Sequence, residues 1–254
     1  MKNKFAAQLY TLRKEISEDF PGVLKSLKEI GWEAVQIDGL FGYTREEIAD
    51  TLNTLGLRTA GIHVGLDRLN NDLENVVAEA NLFQTTEIIC PYLDDDMRNA
   101  EGYIKARKEL REVVRKIAPL GLKLGYHNHD FEFHTKIEGE FALDYILEPS
   151  DDVHLFPEID TYWVKKAGLD PLTYMQKFSF KMPILHLKDM TNDGTEDFAE
   201  VGNGCIEFQP ILQWGERNGV EWYVVEQDYC TGHPLVSLAI SLDNLRKMTS
   251  NMTN

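Results

Sequence analysis

The sequence predicts a single (β/α)8 barrel, an α/β fold in which eight parallel strands close on themselves inside a ring of helices. Three observations predict it. Strand-like apolar runs alternate with amphipathic, helix-like runs from one end of the chain to the other. The length of 254 residues is close to the roughly 250 typical of this fold as one domain. Four segments of the second half, residues 122–133, 153–163, 183–189 and 221–228, start as apolar runs and finish in His, Asp or Glu. Polar, chelating residues at the carboxyl ends of strands describe the reactive rim of a parallel barrel.

The elements follow in order. Strands are expected at residues 4–10, 34–38, 58–64, 87–91, 123–128, 153–159, 183–188 and 221–227. Amphipathic stretches at 19–30, 45–55, 69–82 and 99–120 supply helices between them. Gly31, Gly56, Gly121 and Gly219 each stand where a helix hands over to the next strand. Glycine tolerates the left-handed conformation that ends a helix, so the repeated joint supports the repeated βα unit. No low-complexity linker or composition break divides the chain, so residues 1–254 read as one domain. The polar segment 191–204 is the longest expected loop and follows the seventh strand, on the face where long loops act as lids.

Residues two apart in a strand share a face. His127 with His129, Glu158 with Asp160, His186 with Lys188, and Glu226 with Asp228 therefore form inward-facing sets at four strand ends. The alternate faces, such as Leu122, Leu124 and Tyr126 or Tyr223 and Val225, are apolar and suit packing under helices. Gln8, Tyr10, Gln36, Asp38 and His63 end earlier strands on compatible faces.

Composition narrows the function. The chain is 43% apolar and 27% charged, as expected of a globular domain. Its formal charge of −16 opposes binding to nucleic acid, which rests on Lys and Arg neutralising phosphates, and argues against a metal-dependent DNA repair nuclease. Cys90, Cys205 and Cys230 form no CxxC unit and suggest no disulfide framework, which fits a reducing cytoplasm. No apolar run approaches the roughly 18 residues of a membrane helix, and the N-terminus has no signal-peptide core. A homo-oligomer is compatible with all of this.

Mixed carboxylate and imidazole donors suit one divalent ion such as Mn, Co, Mg, Zn or Fe(II). Such an ion polarises a carbonyl as a Lewis acid, and a neighbouring carboxylate or imidazole moves the proton on the adjacent carbon. That pairing gives isomerisation, epimerisation or elimination on a small sugar, polyol or keto-sugar.

The segments QLYTLR (8–13), GYHNHDFEF (125–133), EIDTYWVKKAGLDP (158–171), HLKD (186–189), VGNG (201–204) and VVEQD (224–228) together resemble the xylose isomerase-like TIM-barrel superfamily, the sugar phosphate isomerases/epimerases, over nearly the whole chain. The resemblance implies a metal held by Asp160, His186 and Glu226, with a fourth ligand from the fifth strand or just beyond it. Glu132 is the preferred fourth ligand, with His127 or His129 as the alternative. Epimerases of the superfamily use fifth- and eighth-strand glutamates as their acid/base pair. Here the fifth strand ends in His127 and His129, so the resemblance leans towards the inosose dehydratase and keto-sugar lyase branch. His127, His129, Glu132 and Glu226 are the candidate catalytic groups, and Gln8, Tyr10, His63, Trp163 and Lys188 the candidate substrate contacts.

Plainer readings exist for several of these. Asp160 before Tyr-Trp-Val is also a good helix N-cap. Glu226 can pair with Lys188, and Lys188 can either hold a substrate oxyanion or only neutralise an acidic mouth. His63 can be a core or supporting histidine. A non-catalytic sugar-binding barrel is the reading from another functional class. Trp32, Trp214 and Trp222 are expected in core layers, whereas Trp163 follows a ligand strand and suits stacking on a sugar ring.

Overall fold

The computed structural model describes residues 1–150, 153–250 and 252. Its strands are β1 (Phe5–Gln8), β2 (Ala34–Asp38), β3 (Arg58–His63), β4 (Glu87–Cys90), β5 (Lys123–His127), β6 (Phe156–Asp160), β7 (Ile184–Leu187) and β8 (Trp222–Val225). They close into a barrel in the order β1-β8-β7-β6-β5-β4-β3-β2. Every neighbouring pair is parallel. All eight expected strands are present, with ends moved by up to three residues.

The helices are α1 (Arg13–Ile30), α2 (Arg45–Leu55), α3 (Leu66–Asn71), α4 (Leu73–Leu82), α5 (Ala100–Ile117), α6 (Ala142–Leu147), α7 (Thr161–Lys166), α8 (Pro171–Met175), α9 (Phe208–Arg217) and α10 (Pro234–Thr249). α1 begins earlier than expected but breaks at Asp19, whose φ of −151° is not helical. The Asp19 carboxylate accepts the Gly22 N–H at 3.0 Å and restarts the helix before Pro21, so the expected start at residue 19 marks this second half. The expected helix 69–82 is split at Asp72 into α3 and α4. Thr44 opens α2 with a reciprocal capping box to Glu47. All four joint glycines adopt positive φ, from 61° at Gly56 to 107° at Gly31, where a side chain would be strained.

Two apolar layers hold the barrel. Outside the strands, Val35, Leu124, Leu185 and Tyr223 pack under the helices. Inside, Ala6, Ala34, Ala60, Ile89, Phe156, Ile184 and Val224 form a separate plug, with Trp222 against it. Phe156 supplies most of the bulk, and Gly125 on the adjacent strand makes room for it. A Cβ on Gly125 would lie 2.3 Å from the Phe156 ring. The plug is the floor on which the polar strand ends stand. Trp32 is fully buried, as expected of a core residue.

The expected long loop at 191–204 is partly ordered as a hairpin, with Asp189–Met190 pairing antiparallel to Phe198–Ala199. The buried Asp189 carboxylate ties its return by accepting the N–H groups of Met190, Gly202, Gly204 and Ile206. Among the described residues no helix is long and apolar enough to cross a membrane.

Candidate metal centre

Above the plug, the inward face changes from apolar to polar on strand after strand. Gln8, Gln36, His63, His127, Glu158, Asp160, His186, Lys188 and Glu226 are all at most 7% exposed. The parallel register brings them level, because His127 stands beside Glu158 and Asp160 beside His186. Strand closure then sets β8, with Glu226 just beyond its end, next to β7.

Four donor atoms converge at the top of this cluster. Asp160 Oδ2 lies 3.8 Å from His127 Nε2 and 4.0 Å from His186 Nδ1. His186 Nδ1 is 3.3 Å from Glu226 Oε2. Lys188 Nζ stands beside them, 2.9 Å from Glu226, 3.5 Å from Asp160 Oδ2 and 2.7 Å from Asp228. Asp160 uses its other oxygen, Oδ1, to accept the N–H groups of Tyr162 and Trp163 at the start of α7. The capping reading of Asp160 is therefore correct for one oxygen, and the other is turned into the cluster. That second oxygen is buried and has no hydrogen-bond partner.

A second constellation, His63, His127, Glu158 and His186, lies deeper and shares both ring systems. There Glu158 is saturated. Its Oε1 accepts from Gln36 at 2.6 Å, and its Oε2 faces His63 Nε2 at 2.7 Å, His127 Nδ1 at 3.1 Å and His186 Nε2 at 3.2 Å. A buried acceptor without a donor is costly unless a cation or proton meets it. Asp160 Oδ2 accepts no hydrogen bond and has only the Lys188 ammonium at 3.5 Å for compensation, so the upper set, His127, Asp160, His186 and Glu226, is the one that fits a divalent ion. Two imidazoles and two carboxylates suit Mn, Co, Zn or Fe(II).

The electrostatics agree. Burial pushes Asp160 up to about 7, against the pull of Lys188 and His186. Burial would raise Glu226 too, but Lys188 and His186 outweigh it and hold this carboxyl well below the usual range. Glu158 is likewise held low, with His186 and His63 overcoming its burial. Burial and the neighbouring His186 lower His127 to about 4. Burial lowers His129 well below the usual imidazole value, helped by His127 and Lys188. Lys188 stays charged because Glu226, Asp160 and Asp228 outweigh its burial.

A cavity of about 400 Å³ opens over the centre, walled by Tyr10, Asp38, Arg68, Tyr92, His129 and Asp228. His129 enters from the turn after β5, stacked on Phe131 at 4.9 Å and flanked by Trp163 at 5.1 Å. Its Nδ1 is buried without a partner. A larger groove of about 920 Å³ around Lys123, Tyr145 and Phe178 contains none of these groups. Converging polar groups mark the smaller cavity as the candidate site.

Two expectations differ from the geometry. Glu132, the preferred fourth ligand and a candidate catalytic group, belongs to neither constellation. The chain turns into a short 3-10 helix after β5, which carries the Glu132 carboxylate behind the strand. There it accepts from Tyr126 Oη and from the His129 N–H, both at 2.8 Å, and the group that clusters with Asp160, His186 and Glu226 is His127. Gln8, expected at the substrate, is fully buried and spends its amide on Gln36 and His63. His63 does line the cavity, and is tied to Glu158 from one nitrogen and faces Gln8 from the other. Tyr10 does line the cavity, under the Arg13 guanidinium. Trp163 stands between His129 and Lys188, with the ammonium 5.3 Å from its ring. Strand alternation places Glu158 on the inward face with Asp160 but assigns it no role, and Arg68 is not singled out from sequence. The two-residue spacing to Asp160 was the available signal for Glu158. Arg68 had none, because α3 and α4 fold it back onto Glu79.

No protein-family profile matches the chain. It is 25% identical to an inosose dehydratase of Geobacillus kaustophilus over 86% of this chain and 87% of that one. The match to the inosose dehydratase of Clostridium beijerinckii, at 26% identity, spans 54% of this chain and about half (51%) of that one. Among solved structures, a sugar phosphate isomerase/epimerase from Parabacteroides distasonis superposes with a TM-score of 0.80 at 20% identity, over 96% of this chain and 94% of that one. A xylose isomerase domain protein from Alicyclobacillus acidocaldarius gives a TM-score of 0.71 at 15% identity, over 91% and 93%. The chain thus has the fold of the xylose isomerase-like sugar isomerase/epimerase barrels, and its similar curated relatives are inosose dehydratases.

Proposed function

We propose that the chain is a divalent-metal-dependent enzyme that moves a proton beside the carbonyl of a small sugar, polyol or keto-sugar. The observation that carries this reading is the buried Oδ2 of Asp160, which accepts no hydrogen bond and lies within 4.0 Å of a nitrogen on each of two histidines. His127, Asp160, His186 and Glu226 would hold the ion. A bound divalent ion supplies Lewis acidity to a substrate carbonyl.

The remaining work falls to side chains around the cavity. His129, which lines the cavity and has a buried Nδ1 without a hydrogen-bond partner, is the candidate to accept a proton. Lys188, held as an ammonium between Glu226 and Asp228, offers fixed positive charge where oxyanion character develops. Asp38 and Asp228 line the mouth and can accept substrate hydroxyls. Tyr92 is 46% exposed at the rim and offers a flat apolar face to a ring.

Dehydration is favoured over epimerisation by two observations. Glu132 is turned away, so a fifth-strand and eighth-strand glutamate pair is not assembled. The similar curated relatives are inosose dehydratases. Elimination breaks one C–H and one C–O bond, forms a C=C bond and releases water.

The test has two stages. Metal content by plasma mass spectrometry should give about one ion per chain, lost in the Asp160→Asn/His186→Ala variant. The metal-loaded protein is then incubated with inosose and with neutral ketoses in D2O and followed by NMR. Water loss supports the dehydratase, and exchange of one carbon-bound proton without it supports the epimerase. No metal in either protein, even after adding Mn, would remove the Lewis-acid mechanism.

A further inference from the structure

We propose that Glu158, oriented by Gln36, forms a polar clamp that decides which ring nitrogen of His127 carries a proton, leaving the Nε2 lone pair of that ring aimed at Asp160. The proposal rests on the metal reading above and assigns to Glu158 and Gln36 a positioning role in it.

The hydrogen bonds are directional, and a carboxylate only accepts. Gln36 Nε2 lies 2.6 Å from Glu158 Oε1, so the amide of Gln36 has one permitted orientation. Its oxygen then faces Gln8 Nε2 at 2.6 Å and His186 Nε2 at 2.7 Å. An amide oxygen cannot donate, so His186 Nε2 carries a hydrogen. Glu158 Oε2 faces His63 Nε2 at 2.7 Å and His127 Nδ1 at 3.1 Å, so those nitrogens carry hydrogens as well. The second amide hydrogen of Gln8 points to His63 Nδ1 at 3.3 Å, which therefore presents a lone pair. Each assignment agrees with the next, and no group in the chain is left with two donors facing one another.

Two nitrogens remain outside the clamp, His127 Nε2, and His186 Nδ1, which also faces the Glu226 carboxylate at 3.3 Å and so carries a hydrogen in the metal-free chain. They are the two that face Asp160 Oδ2. Glu158, Gln36, Gln8 and His186 are fully buried, so water cannot replace a missing partner. The partner of the second nitrogen fixes the tautomer and direction of a metal-binding imidazole. Here Glu158, itself oriented by Gln36, does so for His127.

Glu158→Gln tests this with almost no change in shape. Gln36 Nε2 still requires an acceptor, so the new amide oxygen takes the place of Oε1. The new amide nitrogen then takes the place of Oε2 and meets His63 and His127 with hydrogens. His127 must present a lone pair at Nδ1 and move its hydrogen to Nε2, towards Asp160. Long-range 1H–15N NMR of the metal-free protein should show His127 as the Nδ1–H tautomer in the wild type and Nε2–H in the variant. Zn2+ affinity by calorimetry should fall roughly 10–100-fold. The exchange Gln36→Glu/Glu158→Gln keeps charge and size. It turns the amide of residue 158 round, returns its oxygen to His63 and His127, and should restore the Nδ1–H tautomer and most of the affinity.

An Nε2–H tautomer of His127 in the wild type would overturn the clamp without any variant. So would a Glu158→Gln protein with wild-type tautomer and affinity, or an exchange variant that folds but recovers neither. If wild-type protein binds no Zn2+ or Mn2+, the metal reading fails, and the tautomer spectra still decide the clamp.

Discussion

Asp160 Oδ2 lies 3.8 Å from His127 Nε2 and is buried without a hydrogen-bond partner, while Asp160 Oδ1 caps the next helix. One carboxylate thus joins a structural duty to a binding one, and the two can be separated by substitution.

Asp160→Asn keeps an oxygen for the cap, since Asn and Asp are near-equal N-caps. Its amide group should spoil metal binding without unfolding the chain. In differential scanning fluorimetry, metal at about 100 times its Kd should stabilise the wild type by about 2.7 kcal/mol. The expected outcome is a rise in Tm that is lost in Asp160→Asn and reversed by EDTA in the wild type. An equal rise in both proteins would mean that the ion binds elsewhere.

Glu132 carries a pH dependence of opposite sign to an exposed ion pair. Burial raises it from 4.5 to about 7, despite hydrogen bonds from Tyr126 and His129. Folding therefore favours its protonated form. The stabilisation is complete below about 4.5 and is lost as pH rises through about 7. Glu132→Gln should remove this dependence, so that the variant gains on the wild type between pH 5 and pH 8 by on the order of 3 kcal/mol. Urea titrations of metal-free protein at both pH values provide the check, and a constant difference between the two proteins would refute the burial argument.

Asp189 accepts four backbone N–H groups within the segment that returns from the β7 hairpin. Asp189→Ala leaves those donors without the carboxylate, at about 1–3 kcal/mol for each one that stays buried and unpaired. A loss above roughly 3 kcal/mol in chemical denaturation is expected. A loss under 1 kcal/mol would show that water satisfies the loop.

Gly125 and Phe156 share the barrel axis. Gly125→Ala would press a methyl to within 2.3 Å of the Phe156 ring. Overpacking of this kind costs about 1–3 kcal/mol. Phe156→Leu in the same chain should relieve part of it, so a double-mutant cycle should return a favourable coupling. Strict additivity would mean that the two positions do not compete for space.

Much of the site was legible because it sits on strands. His127 and Asp160 end their strands, Glu226 is one residue beyond an end and His186 one residue before one, where alternation still tells inside from outside. Glu132 was misread because alternation ends with β5 at His127, and the following turn swings the carboxylate to Tyr126 on the outer face. Gln8 is expected at the substrate because its strand position faces inward. Sequence does not show that other side chains consume its polar atoms first.

The sequence by itself determined the eight βα units, the glycine joints and the polar inward edge of each strand. These follow from local backbone geometry, in which a strand repeats every two residues and a helix needs a residue that tolerates positive φ to end. Only the tertiary structure decided which of those edges meet. The parallel register sets His127 beside Glu158 and Asp160 beside His186, and closure brings β1 and β2 round to add Gln8 and Gln36. A metal-binding set needs atoms within a few ångströms of one another. Distances between residues up to 150 positions apart are fixed by barrel closure and stagger, which no local pattern contains.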